Sequence, residues 1–240
     1  MGWEFCPPCA AEVARCIPPG CIRCGRPLDR DVPRCVDCPP GPLAWARAAF
    51  VYEGPVRRAL IRLKFAGLRS LADAFGPAMA AALEAWDRET TVQDGRDGGP
   101  HPPLTWVPLG RDRRRRRGFD QARMLADAVG RHSGRSVMSL LERTRETLPQ
   151  ARRAGAERRQ ALADAFRGVR RPPSRVVLID DVLTSGATAA ACASALVDAG
   201  AEEVGVLTAA RSLGGAIPAR CYTAHGLPPG SVVARETSSR

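Results

Sequence analysis

The stretch "VVLIDDVLTSGAT", Val176 to Thr188, constrains the fold more than any other part of the chain. Four apolar residues without alternation indicate a strand buried on both faces. Two aspartates follow, then a short run of small residues, then "AAACASALVDAG". That last run predicts a helix from Thr188 to Ala199, with Gly200 at its C′ position. A helix start offers unpaired backbone N–H groups and a partial positive charge. Gly186 lets the backbone come close to a ligand, and Thr184, Ser185 and Thr188 add hydroxyl donors around Ala187. The loop is therefore a cradle for a phosphate. The carboxylates of Asp180 and Asp181 would repel a phosphate. They suit sugar hydroxyls, or a Mg²⁺ ion bridging to a pyrophosphate. The implied ligand has a phosphate on one side and a hydroxyl-bearing ring on the other.

Two rival readings stand beside this one. An apolar run closed by Asp-Asp also matches a Walker B strand, which needs a GxxxxGK[ST] partner loop. The only lysine, Lys64, lies in "RLKFAG", so the chain has no such loop. The plainer alternative is a strand end with a capping Asp and an ordinary turn. It leaves the agreement of strand, acid pair, loop and helix start unexplained.

Strand and helix patterns alternate along the chain. "AAFVYEG" predicts a strand, preceded by a linker, "PPGPLAWARAAF". Pro55 to Phe65 carries Val56, Leu60 and Leu63 at helical spacing. A second helix covers Ser70 to Trp86, with a break expected at Gly76–Pro77. "TVQDGRDGGPHPP" predicts an exposed loop. "LTWVPL", "SVMSLLER" and "EVGVLTAA" predict further strands, and Gln121 to Arg131 a helix. Helical potential recurs around 156–166, and the tail beyond Leu213 is expected to be loose. The expectation is an α/β fold, a parallel sheet with helices on both faces, preceded by a small cysteine-rich ribbon. The divisions are a ribbon at 1–42, the α/β domain at 43–212 and a tail at 213–240. Ligands of such sheets bind at the carboxyl ends of the strands.

Seven of nine cysteines precede residue 40. Cys21 and Cys24 face Cys35 and Cys38 as two CxxC knuckles, the spacing of a tetrahedral Zn²⁺ site. Four thiolates leave no open position, so the role expected is structural. Cys6 and Cys9, with Cys16, form at most a partial second site. Cys192 reads as a small core residue, and Cys221 falls in the expected loose tail. His101, His132 and His225 have no metal-like partners nearby in sequence.

The net charge is +11, almost all of it arginine. That balance favours polyanions, although an arginine-, alanine- and glycine-rich composition also reflects general bias. The run Arg113–Arg117 has three open readings: a solvated loop, an electrostatic funnel for a phosphorylated ligand, or a contact to the backbone of single-stranded DNA. Phe119 is the one aromatic beside it. Lys64 stands alone among arginines, which raises the reading of a compact phosphate-binding ammonium. The sequence lacks a signal pattern and a long apolar segment, so a cytoplasmic protein without membrane insertion is expected.

The thirteen residues from Val176 resemble the 5-phosphoribosyl 1-pyrophosphate (PRPP) motif of type I phosphoribosyltransferases. The resemblance implies that Asp180 and Asp181 face the ribose hydroxyls and that Thr184 to Thr188 hold the 5-phosphate. "FVYEGPVRRALIRLKFAG", "VPLGRDRRRRRGFDQA", "LERTRETLPQ" and the cysteine ribbon resemble the ComF family of phosphoribosyltransferase-like competence proteins, over roughly residues 1–212. By that resemblance Pro108, Leu109, Gly110 and Arg111 form the pyrophosphate loop, and Arg117 and Gly118 open an RGFNQ-like signature. Asp120 stands where the family shows Asn, and a carboxylate facing a pyrophosphate would repel it. A mobile hood would carry Arg143, Gln150 and Arg158, with Ala161 replacing a family Asn. Two functions are implied. One is a Mg²⁺-dependent phosphoribosyltransferase that displaces pyrophosphate from PRPP. The other is a non-catalytic DNA-uptake accessory that binds single-stranded DNA beside a competence helicase.

Overall fold

The structure is a computed structural model that describes residues 6–94, 100–144 and 164–222. In chain order its elements begin with α1 (Pro7–Ala11), β1 (Leu43–Val51), α2 (Gly54–Phe65), α3 (Ser70–Asp94) and β2 (Leu104–Trp106). Next come α4 (Arg111–Arg117), α5 (Gln121–Ser133), β3 (Leu141–Arg143) and β4 (Phe166–Gly168). The series closes with β5 (Arg175–Leu183), α6 (Ala187–Asp198), β6 (Glu203–Arg211) and a 3₁₀ turn at Ala219–Cys221.

β5 is an inner strand because both its faces are apolar. The sheet order is β1-β6-β5-β2, and every pairing is parallel. Successive side chains of a strand point to opposite faces. Val177 and Ile179 accordingly join Phe50, Leu60, Leu63, Phe75 and Leu125, from β1, α2, α3 and α5. Val176 and Leu178 join Ala189, Cys192 and Leu196 of α6 on the other face. This is the doubly covered parallel sheet that the uninterrupted apolar runs demand. Cys21 and Cys24 belong to the second of these clusters, so the cysteine segment packs on the sheet.

Several local expectations are corrected. The supposed linker before "AAFVYEG" is already strand, because β1 starts at Leu43 and pairs with β6 from Val204 onward. Its alanines and Trp45 fit a covered edge. α3 is unbroken through Gly76 and Pro77 and runs on to Asp94. A Cβ on Gly76 would sit 3.1 Å from the Ala128 Cβ, so this glycine serves a close crossing of α3 on α5. The arginine run is helical, as α4, and is not a loop. The expected loose tail holds a packed segment: Leu213, Cys221 and Tyr222 are buried with Ala14 and Val51. β3 and β4 form a separate antiparallel pair. The hood residues Gln150, Arg158 and Ala161 lie outside the described residues.

Candidate functional site

Asp180 and Asp181 lie near the carboxyl end of β5, three and two residues before its last residue, Leu183. Strand alternation gives the adjacent carboxylates opposite faces. Asp181 is only 6 % exposed and turns toward α2 and α5. There the Lys64 ammonium stands 2.9 Å from its Oδ2, and the Gln121 amide donates to the same oxygen at 3.3 Å. Arg117 donates in turn to Gln121 Oε1 at 3.0 Å. The Arg117 guanidinium also lies over the Phe65 ring, 4.9 Å from its centroid. Lys64, Asp181, Gln121, Arg117 and Phe65 thus form one connected rim around the strand end. Asp180 Oδ1 accepts the Asp181 backbone N–H at 2.8 Å. Burial, and then the neighbouring Asp181 charge, push the Asp180 pKa well above the usual carboxylate range. A carboxylate in that state gains from a nearby cation.

The hydroxyl loop follows. Thr184 and Ser185 are exposed, and Ala187 and Thr188 partly so. Gly186 is buried at φ 75°, in the left-handed region, and its carbonyl accepts the Ala190 N–H at 2.8 Å, which starts α6. The N-cap residue Gly186 has no side chain to cap this helix start; Ser185 Oγ accepts the Ala187 N–H at a long 3.4 Å, and the remaining first-turn N–H groups suit an anionic group. A Cβ on Gly186 would meet the Pro39 Cβ at 2.4 Å. The glycine is therefore required by the protein's own packing.

The segment read as the pyrophosphate loop joins β2 to α4. Its Leu109 N–H is taken by Asp120 Oδ2 at 3.0 Å. The other Asp120 oxygen accepts the Arg123 N–H at 3.3 Å and caps α5. Burial raises the Asp120 pKa, while those backbone N–H groups oppose the rise. The Asp120 carboxylate, which would repel a pyrophosphate if it faced one, is engaged by the loop and the helix start. By the same contact, Leu109 N–H is not offered to a ligand. Gly110 is the N-cap residue of α4, and Gly118 ends α4 at φ 74°, donating its N–H to the Arg114 carbonyl. Arg114, Arg115 and Arg116 are exposed. Arg111 lines a pocket of about 310 Å³ with Glu142, Arg143, Thr144 and Arg167.

The thiol sulfurs of Cys21, Cys24, Cys35 and Cys38 all lie within 4.8 Å of one another. Cys21 and Cys38 are 3.6 Å apart, and Cys24 and Cys35 3.5 Å. A tetrahedron with Zn–S bonds of about 2.3 Å spaces its sulfurs by about 3.8 Å. The cluster fits a zinc ribbon and could hold that ion. Burial works against the Cys21 thiolate, but backbone N–H groups of Cys24 and Cys35 outweigh it and bring the thiol to about 7. Burial holds the Cys24 thiol up, against the attraction of Arg211. Cys6 and Cys9 meet side chain to side chain, but Cys16 does not join them: among the described residues, the four-cysteine group is the one cluster of three or more such ligands. The Cys16 thiol donates to the Phe50 carbonyl at 3.2 Å, and burial pushes it to about 12. The partial second site is therefore not formed by that trio.

Sequence reasoning gave no role to Gln121 or Phe65. Gln121 stands in the quoted "RGFDQ", but its partner Asp181 is sixty residues away. Phe65 follows Lys64 directly and is 73 % exposed, and only the fold brings Arg117 onto it.

No family model matches the chain. Whole proteins do. The DNA utilization protein YhgH of Escherichia coli O157:H7 is 30% identical over 215 residues, covering 88% of this chain and 92% of that protein. Competence protein F of Haemophilus influenzae is 28% identical over 81% of this chain and 85% of its own length. Competence protein ComFC of Bacillus subtilis is 26% identical over 87% of this chain and 85% of its own. A doubly covered parallel sheet, a four-cysteine ribbon and an acid pair before a hydroxyl loop describe one class of α/β protein, and similarity over nearly the whole chain makes its family specific. The chain belongs to the ComF family. Among the described residues, no helix is long and apolar enough to cross a membrane.

Proposed function

We propose that the protein binds PRPP, or a related phosphoribosyl ligand, with Mg²⁺ at the end of β5, and that it serves DNA uptake or DNA use from the cytoplasm. The observation that carries the reading is the acid pair at the strand end, followed by a loop with exposed hydroxyls and a helix start whose N-cap residue is a glycine without a capping side chain. Thr184, Ser185 and the amides through Thr188 would take the 5-phosphate. Asp180 would accept from ribose hydroxyls and, as the carboxylate whose charge burial disfavours, would gain most from a metal; Asp181, 6 % exposed and held by Lys64 and Gln121, would reach a hydroxyl only by giving up one of those partners. Mg²⁺ would neutralise pyrophosphate charge when bound. Lys64 and Arg117 bring positive charge to the same rim, and Pro108, Gly110, Arg111 and Gly118, in the segment that leads into and out of α4, would add the pyrophosphate contacts. Lys64, paired with Asp181, would temper that carboxylate's charge, beside the reading of a direct phosphate contact that its standing alone among arginines raised. If the phosphoribosyl group is transferred, the protein's share is positioning and charge stabilisation while pyrophosphate leaves. In this reading the four cysteines hold one structural Zn²⁺.

A second reading, an accessory that binds single-stranded DNA beside a helicase, draws on α4. Arg114, Arg115 and Arg116 are exposed on it, and the half-buried Arg117 of the same helix lies over the exposed Phe65 ring, so backbone charge and a stacking surface meet at this helix, as in unspecific strand binders. The relatives' names, which speak of DNA utilization and competence, favour the same setting. The two readings share one rim, so competition tests them. A labelled oligothymidylate should be displaced by PRPP with Mg²⁺. A strand that binds undisturbed by saturating PRPP would assign it a separate surface. Absence of any PRPP binding would overturn the first reading and leave the second.

A further inference from the structure

The four-cysteine segment touches the hydroxyl loop through one residue. Pro39 follows Cys38 directly, is buried, and lies where a Gly186 side chain would be, with its Cβ 2.4 Å and its Cα 3.2 Å from that position. Pro39 is in turn held from the other knuckle. Arg23, between Cys21 and Cys24, donates to the Pro39 carbonyl at 2.8 Å, to Gly41 at 3.2 Å and to Leu43 at 2.7 Å. One guanidinium thus fixes the whole strap that leads from the cysteines into β1. The knuckle is itself anchored on the sheet. The Ala46 N–H of β1 donates to the Arg23 carbonyl at 2.9 Å. Arg211, at the end of β6 and 1 % exposed, donates to the Cys24 carbonyl at 2.7 Å. Arg26 donates to the Leu213 carbonyl at 2.6 Å and pairs with Asp37 at 3.2 Å.

These contacts make a continuous line from the thiols to Gly186. The strap has little core of its own: Val36 is fully exposed, and Asp37 and Pro40 are exposed. A segment of this kind keeps one shape mainly because its ends are fixed, here by Cys35 and Cys38 at one end and β1 at the other. Without a metal, four thiols at these separations keep only weak sulfur contacts. The back of the hydroxyl loop is then a proline whose position depends on the ribbon.

We propose that the cysteine ribbon is the back wall of the hydroxyl loop, with Pro39 and Arg23 as its positioning residues, so that zinc occupancy sets the order of residues 184–188. The mechanical part stands on the contacts alone. Its consequence for ligand affinity rests on the phosphoribosyl reading of the loop. Because coupling between two sites is reciprocal, ligand in the loop must also slow the loss of zinc.

Hydrogen exchange followed by mass spectrometry tests the wall without any ligand. The zinc-loaded full chain is compared with Pro39→Gly and Arg23→Ala, each checked for zinc content, and peptides over 183–190 are read against 204–211 of β6. Faster exchange of 183–190 by about tenfold or more is expected in both variants, with β6 unchanged. Chelation of zinc should give the same local change. If chelation unfolds the whole chain, the zinc-loaded Pro39→Gly protein still decides. Equal exchange of 183–190 in wild type and Pro39→Gly overturns the proposal. In the second arm, zinc transfer to a chromophoric chelator is timed with and without saturating PRPP and Mg²⁺. Slower transfer supports the coupling, and equal rates with PRPP demonstrably bound overturn it. If PRPP does not bind, the phosphoribosyl reading fails, while the exchange arm still judges the wall.

Discussion

The chain's single lysine, Lys64, is ion-paired with the second aspartate of the acid pair, Asp181, at 2.9 Å. The two side chains are 20 % and 8 % exposed, so the pair is largely removed from water. Breaking such a pair costs more than forming it gains, because one charge is left without a partner. Asp181→Asn should destabilise the protein by about 3 kcal/mol, the low end of the buried-pair range, since Lys64 keeps some solvent. Lys64→Met combined with Asp181→Asn should restore part of the loss. Denaturant unfolding of Asp181→Asn, Lys64→Met and the double variant measures this. Additive losses in the double variant would mean that the two charges do not depend on each other.

Asp180 should behave in the opposite way. Its pKa is raised in the folded protein, by burial first and by Asp181 second. Between the ordinary carboxylate value and the raised one, the folded state holds a proton that the unfolded state has released. Stability therefore falls as pH rises through that window. Asp180→Asn should raise the melting temperature at neutral pH and flatten this dependence. It should also remove Mg²⁺-assisted PRPP binding. A variant that is less stable than wild type at neutral pH would contradict the burial account.

Freshly purified protein should carry about one Zn²⁺ per chain, the stoichiometry of a single four-thiolate site. Cys24→Ser should lower the zinc content and Cys16→Ser should leave it unchanged, since the Cys16 thiol bonds to the Phe50 carbonyl. Elemental analysis reads both. A zinc content that falls equally in both variants would return Cys16 to a metal site.

Replacing Arg114, Arg115 and Arg116 with Gln should weaken binding of single-stranded DNA and reduce its salt slope by about 2, since each phosphate that an arginine neutralises adds roughly 0.7 to that slope. Phe65→Ala should cost about 1–3 kcal/mol of strand binding and leave the salt slope as it was. Fluorescence anisotropy across salt concentrations separates the two effects. An unchanged slope in the triple variant would assign α4 to solvent.

The apolar strand, the acid pair, the hydroxyl loop and the cysteine knuckles were legible because each is written in a few consecutive residues. The contacts that join them were not. Lys64, Gln121 and Asp181 come from three elements, and no local pattern announces that they meet. Gly186 read as a site for a ligand's close approach, but Pro39 occupies that side, and a glycine cannot say which neighbour it admits. What Asp120 faces was not legible, because its two backbone donors, Leu109 and Arg123, become visible only once the loop closes on α5. Gly76–Pro77 read as a break, since the demand for a close crossing against Ala128 is tertiary. The arginine run drew three open readings, none of them a helix, because charge repulsion hid the helical potential between Gly110 and Gly118.

The measurement that bears most directly on the account is calorimetric titration of the zinc-loaded protein with PRPP, with and without Mg²⁺, for wild type and for the Asp180→Asn, Asp181→Asn double variant. Wild type should bind one PRPP per chain and bind it more tightly with Mg²⁺. The double variant, if folded by circular dichroism, should lose more than tenfold in affinity, or about 1.4 kcal/mol. Equal affinity in the two proteins, or affinity in wild type indifferent to Mg²⁺, would mean that the carboxylates do not face the ligand.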